Sequence, residues 1–236
     1  MAEGLINLHV GMWKLRKKYE RIKGPVAFLD ESYQAPRDSS QGQKTFYVFT
    51  AVLVEVSNMD ELRDGLKQIA SRSRSDGRAY WHTTEALRDG RIEDIRDMLA
   101  FLSDGEEPCV VTHAVGVDPD DHDAERARRH CYHGLVTALT SPCDEWEAVR
   151  LFVLEERHEN SLMHTDDINH RALIIENRIP RHIELAQTTP GCETLLWLPD
   201  LVGYCYRRTL THCDESSELF SIVKDQVHFV PQVHGV

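Results

Sequence analysis

Val26-Ala27-Phe28-Leu29 is a continuous apolar run that stops abruptly at Asp30-Glu31-Ser32. Unbroken apolarity over so short a stretch predicts a strand buried on both faces, which needs helices or further layers over both sides of a sheet. The acids that end it then stand where the strand emerges from the core. This one segment points the chain toward an α/β fold with a polar site at strand ends. Thr45 to Glu55, rich in β-branched and aromatic residues, predicts a second strand. The polar stretch 35–44, with Pro36, Ser39, Ser40 and Gly42, predicts the loop of a hairpin between the two.

Asn58 is placed to cap a helix starting at Met59, with Leu62, Leu66 and Ile69 as its apolar stripe. Strands are predicted over Ala79–Thr83, Cys109–Val117, Val149–Leu154 and Arg181–Ala186. Helices are predicted over Arg91–Leu102, Asp123–Leu139, from the Thr165-Asp166-Asp167 cap through Ile175, and over Leu195–Leu210. A hairpin-rich beginning followed by alternating strands and helices predicts a mixed sheet flanked by helices. Residues 1–24, ending at Gly24-Pro25, read as an N-terminal helix or arm, and 25–236 as a single α/β domain.

The 236 residues are 41% hydrophobic and 28% charged, which supports a packed core and excludes a disordered chain. The net charge of -12 opposes non-specific attraction to phosphate backbones. Basic clusters at Lys14 to Lys18, at Arg126 to Arg129 and at Arg207-Arg208 read as solvated helix faces. Six scattered cysteines without a CxxC pair imply neither a disulfide framework nor a zinc site. No run of about 18 apolar residues is present, so no membrane span is expected and a cytoplasmic location follows by default. A Gly-rich phosphate loop, a GxSxG elbow and a dinucleotide fingerprint are all missing, which leaves kinase, esterase and dehydrogenase readings without a foothold.

Acids remain as the chemistry-bearing pattern. Asp30 ends the first strand, Glu155 or Glu156 ends a later one, and Asp200 sits between Leu195-Leu196-Trp197-Leu198-Pro199 and Leu201-Val202. Hard divalent cations want several oxygen ligands, and two-metal phosphoryl transfer draws them from distant parts of a chain. Each acid also has an ordinary reading: a turn for Asp30-Glu31, a solvated strand end beside Arg157 for Glu155-Glu156, a first-turn acid after Pro199 for Asp200. Alternation puts Leu151, Val153 and Glu155 on one face and Phe152, Leu154 and Glu156 on the other, without choosing between the two glutamates. His82 and Glu85 are candidates for a ligand or proton shuttle. The group Arg157, His158, His164, Asp166, Asp167 and His170 could meet a substrate phosphate or a second metal, and its ordinary reading is loop and helix cap.

Phe28-Leu29-Asp30-Glu31-Ser32, Trp81-His82-Thr83-Thr84-Glu85 and Leu198-Pro199-Asp200-Leu201-Val202-Gly203-Tyr204 occur in that order. With them the chain resembles the domain of unknown function 3800 family over roughly residues 26 to 210. That resemblance implies a ribonuclease H-like fold, with Asp30 as a bridging metal ligand, Glu31 as its near neighbour, Asp200 as the late-helix ligand, and Glu155 or Glu156 completing the set. Tyr33, Pro199 and the middle glutamate depart from the family pattern.

The function expected from this reading is Mg²⁺- or Mn²⁺-dependent phosphodiester hydrolysis on nucleic acid. Two rivals stay open: a non-catalytic interaction module with a protein partner in a mobile-element or defence assembly, and a metal-dependent hydrolase of a small phosphorylated substrate.

Overall fold

The computed structural model describes residues 12–40, 42–72, 80–157 and 160–233, with the side chains of 160–163 left aside. Strand β1 (Pro25–Gln34) pairs antiparallel with β2 (Phe46–Glu55), from Pro25 opposite Glu55 to Gln34 opposite Phe46. The expected hairpin is therefore present. Next come α1 (Met59–Ser71), α2 (Thr83–Arg88), α3 (Ile92–Gly105) and β3 (Cys109–Val115), antiparallel to β2. After α4 (Glu125–Leu139), β4 (Leu151–Glu155) returns parallel to β1; after α5 (Asn160–Ile175), β5 (Glu184–Thr188) adds parallel to β4. Helix α6 (Trp197–Thr211) and a short β6 (Val227–Phe229), parallel to β3, follow.

The sheet order is β5-β4-β1-β2-β3-β6. An antiparallel β1-β2-β3 meander with β4 and β5 added in parallel on the β1 side is a ribonuclease H-like mixed sheet, here flanked by helices on both faces. β2 lies at its interior and is buried from Phe46 to Val54, as its apolar sequence requires.

Strand alternation divides the core in two. Val26, Phe28, Val48, Val52, Val111, Leu151 and Val153 pack under α1, α3 and α6. Ala27, Leu29, Phe49, Ala51, Val110, Phe152 and Leu154 pack under α4 and α5. Leu15 and Tyr19, from a helical segment over 12–19, join the first core, and the Tyr19 hydroxyl donates to Glu193 Oε2 at 2.8 Å.

Four expectations change. The helix expected to start at a Thr165-Asp166-Asp167 cap already begins at Asn160, so those three residues lie within it. The strand placed over Ala79–Thr83 begins outside the described residues, and its described end is not a strand: Thr83 opens α2. Tyr80 and Trp81 suggested β structure, but Trp81 is used as a buried plug, 1% exposed, with the Arg91 guanidinium 4.9 Å from its ring centre. Asn58 precedes α1 without a side-chain capping bond. Arg128 is no solvated helix residue. It is 1% exposed and ion-paired with Asp166 at 2.9 Å and with Glu31. No described helix is long and apolar enough to cross a membrane.

Candidate metal centre

Leu29 of β1 pairs with Leu154 of the parallel β4, so Asp30 and Glu155 follow side by side at the carboxyl ends of the apolar runs. Even positions of β1 and odd positions of β4 face α6, which puts both acids on that side. Helix α6 lies directly on β1 and β2 because Gly203 offers no side chain: a Cβ there would come within 2.8 Å of Thr50 Oγ1, and Thr50 is the cross-strand partner of Asp30. Asp200, one turn before Gly203, is thereby carried over Asp30 and Glu155.

The electrostatics record this convergence. Burial pushes Asp30 well above the usual carboxylate range, and the charges of Glu155, Asp200 and Glu31 push the same way, against a hydrogen bond from the Glu31 backbone. Burial also raises Glu155, to about 7, with Asp200 and Glu31 adding to it and a hydrogen-bonding contact with Asp30 opposing. Asp200 is raised by burial, opposed by donors from Thr83 and by the positive charges of His82 and Arg207. Among the described residues none of the three acids has an ion pair to offset the effect of burial.

Asp200 is fixed by the segment that sequence reading assigned to His82 and Glu85. The Thr83 backbone N–H donates to Asp200 Oδ2 at 2.8 Å and the Thr83 hydroxyl to the same oxygen at 2.9 Å. Trp81 Nε1 donates to Thr83 Oγ1 at 3.0 Å. Sequence reading passed over Thr83, since a threonine at a helix start reads as routine capping.

His82 precedes α2, with its ring edge-on to Tyr80, and its charge reaches Asp200. Glu85 lies in the first turn of α2, 4.0 Å from Arg88. Glu31 turns to the opposite face, where Arg128 holds it together with Asp166 and the Tyr47 hydroxyl, the last at 2.7 Å. Glu156 follows Glu155 in the alternation and donates its N–H to Thr188 O at 2.8 Å. Of the seven residues singled out, Asp30, Glu155 and Asp200 come together, His82 approaches them, and Glu31 and Glu156 belong to the other face by strand parity. His158 lies outside the described residues; Asp166 is buried against Arg128, and His170 Nδ1 is 2.8 Å from the Tyr132 hydroxyl.

As to fit, three carboxylates offer hard oxygen donors suited to Mg²⁺ or Mn²⁺ and poorly suited to a soft ion. Their raised affinity for protons is the behaviour of a donor set that a cation would relieve. Among the described residues no group of three or more His, Cys, Asp or Glu side chains is already arranged to hold a metal ion.

The strand order defines the class by fold, a ribonuclease H-like α/β arrangement. No family model and no curated protein matches the chain. Among solved structures it is similar to a point mutant of Bst-RNase HIII, at 13% identity and a TM-score of 0.40, and to Bst-RNase HIII in complex with Mn²⁺, at 12% and 0.33. Both alignments cover 87% of this chain, which spans 64% of the length of those chains.

Proposed function

We propose that the chain is a divalent-metal-dependent phosphodiester hydrolase acting on nucleic acid, with Asp30, Glu155 and Asp200 as the ligands of Mg²⁺ or Mn²⁺. The observation that carries the reading is the convergence of these three acids, from β1, β4 and α6, on one sheet face, none of them in an ion pair among the described residues. The resemblance to the domain of unknown function 3800 family belongs to the same proposal.

A bound divalent cation would supply Lewis-acid stabilisation of charge at the phosphorus and lower the pKa of water. The chain's own residues prepare for that. Burial favours the protonated forms of Asp30 and Glu155, which would give up a proton on holding a cation; Asp200, held at Oδ2 by Thr83, would offer its other oxygen.

A net charge of -12 would repel a long polyanion unless the docking surface were locally different. A cleft of about 640 Å³ meets that need: it is lined by Gln34, Lys44, Phe46, Arg207, Thr209 and His212 among others, with no Asp or Glu among its described lining. Arg207 lies two turns after Asp200 on α6, roughly 10 Å along the helix, or about three nucleotide steps of a duplex. This favours a polynucleotide over a small phosphorylated substrate.

The test is cleavage of labelled single- and double-stranded DNA and RNA and of a hybrid duplex, with Mg²⁺ or Mn²⁺, by the wild type and Asp30→Asn. Metal-dependent cleavage of at least one substrate, abolished by the substitution, is expected. Cleavage that survives in Asp30→Asn, or no cleavage of any substrate by a folded wild type, overturns the proposal.

A further inference from the structure

Thr83 is a buried threonine whose hydrogen bonds leave no freedom of direction. Indole Nε1–H is a donor only, so the bond from Trp81 Nε1 obliges Thr83 Oγ1 to accept. The single hydroxyl proton then goes to Asp200 Oδ2, which also takes the Thr83 backbone N–H. Two donors on one oxygen fix the side-chain torsion of Asp200 and leave its other oxygen as the one with unused lone pairs. Trp81, Thr83 and Arg91 are themselves held: Trp81 is 1% exposed under the Arg91 guanidinium, Thr83 is fully buried, and Arg91 donates to Asp94 at 2.8 Å and to Ala70 O at 3.0 Å.

We infer that Thr83 is a positioning residue: through a one-way relay from Trp81 it holds the Asp200 carboxylate by Oδ2 and so leaves Oδ1 as the oxygen with which Asp200 would bind a metal ion. The inference rests on the metal-site reading and adds to it a role for the Trp81-His82-Thr83 segment. Partners that orient a ligand in this way commonly govern metal affinity without touching the ion. A purely structural role, docking α2 onto α6, would show in stability alone.

The experiment is calorimetric titration of Mn²⁺ into the full chain as wild type, Thr83→Val, Thr83→Ser, Trp81→Phe and Asp200→Asn, with thermal melts of each. Thr83→Val keeps the shape and the backbone bond but loses the hydroxyl, and should weaken Mn²⁺ by about 10- to 100-fold. Thr83→Ser, which restores the hydroxyl, should bind close to wild type. Trp81→Phe, which frees the hydroxyl to turn away, should fall between them. If Thr83→Val binds like wild type while Asp200→Asn does not bind, the metal site stands and the role of Thr83 is overturned. If Thr83→Ser is as weak as Thr83→Val with both folded, shape and not the hydroxyl matters, and the relay is overturned. If the folded wild type takes up no Mn²⁺, the metal-site reading itself fails and this inference fails with it.

Discussion

Asp30 and Glu155 stand one residue beyond the paired Leu29 and Leu154 of two parallel strands, close enough to share a proton. Two ionised carboxylates so placed, under α6 and out of full contact with water, repel one another, and the fold lowers that repulsion by keeping protons bound.

The pH dependence of stability follows from Glu155. Its folded pKa of about 7 lies above the ordinary 4.5, so the folded state holds the proton more tightly than the unfolded chain. The stabilising contribution is complete below about pH 4.5 and is lost as pH rises through about 7. Between those limits the stability difference between wild type and Glu155→Gln should shift by up to roughly 3 kcal/mol in favour of the variant. Denaturant titrations of both proteins from pH 4 to 8 measure it; a difference that does not change with pH contradicts the raised pKa.

Asp30→Asn should stabilise the metal-free protein while abolishing its metal uptake. An asparagine amide donates to Glu155 where a second carboxylate repels it, and a gain of about 1–2 kcal/mol at pH 8 is expected. Urea unfolding in the presence of a chelator checks this, and a destabilised variant would show that Asp30 serves the fold.

Arg128→Met should destabilise by about 3–5 kcal/mol, because Glu31 and Asp166 would be left buried without their cation. Denaturant unfolding of the variant reads this directly. A change within the range of an ordinary surface substitution would mean that solvent reaches the pair.

Gly203→Ala should lift α6 off β2, since the new Cβ meets Thr50 Oγ1 at 2.8 Å. Overpacking of this kind costs about 1–3 kcal/mol. Thr50→Ala removes that oxygen and leaves space, so the double variant should be more stable than the sum of the two single changes. A double-mutant cycle on unfolding free energies tests the coupling; additivity would place the helix contact elsewhere.

Much of this architecture is legible in the sequence because strand ends announce themselves: apolar runs stop at Asp30 and at Glu155, and both strands form there. Asp200 is legible as an acid inside an apolar helix. The choice of Glu155 over Glu156 is not, because parity gains meaning only once α6 is known to cover the face that carries Val153. Arg128 hides within a basic run of solvated appearance, and its burial depends on Asp166 and Glu31, which lie far away in the chain. Thr83 carries no signal of its own, since its role depends on a helix more than a hundred residues later. β6 is three residues long, too short for periodicity to mark.

The central claim is that Asp30, Glu155 and Asp200 build one metal site. Its most direct test is calorimetric titration of Mn²⁺ into the wild type, Asp30→Asn, Glu155→Gln, Asp200→Asn and Glu156→Gln, each shown to be folded. Saturable binding by the wild type and Glu156→Gln, and none by the other three, is expected. Binding retained by Glu155→Gln and lost by Glu156→Gln, or no binding by the wild type, would contradict it.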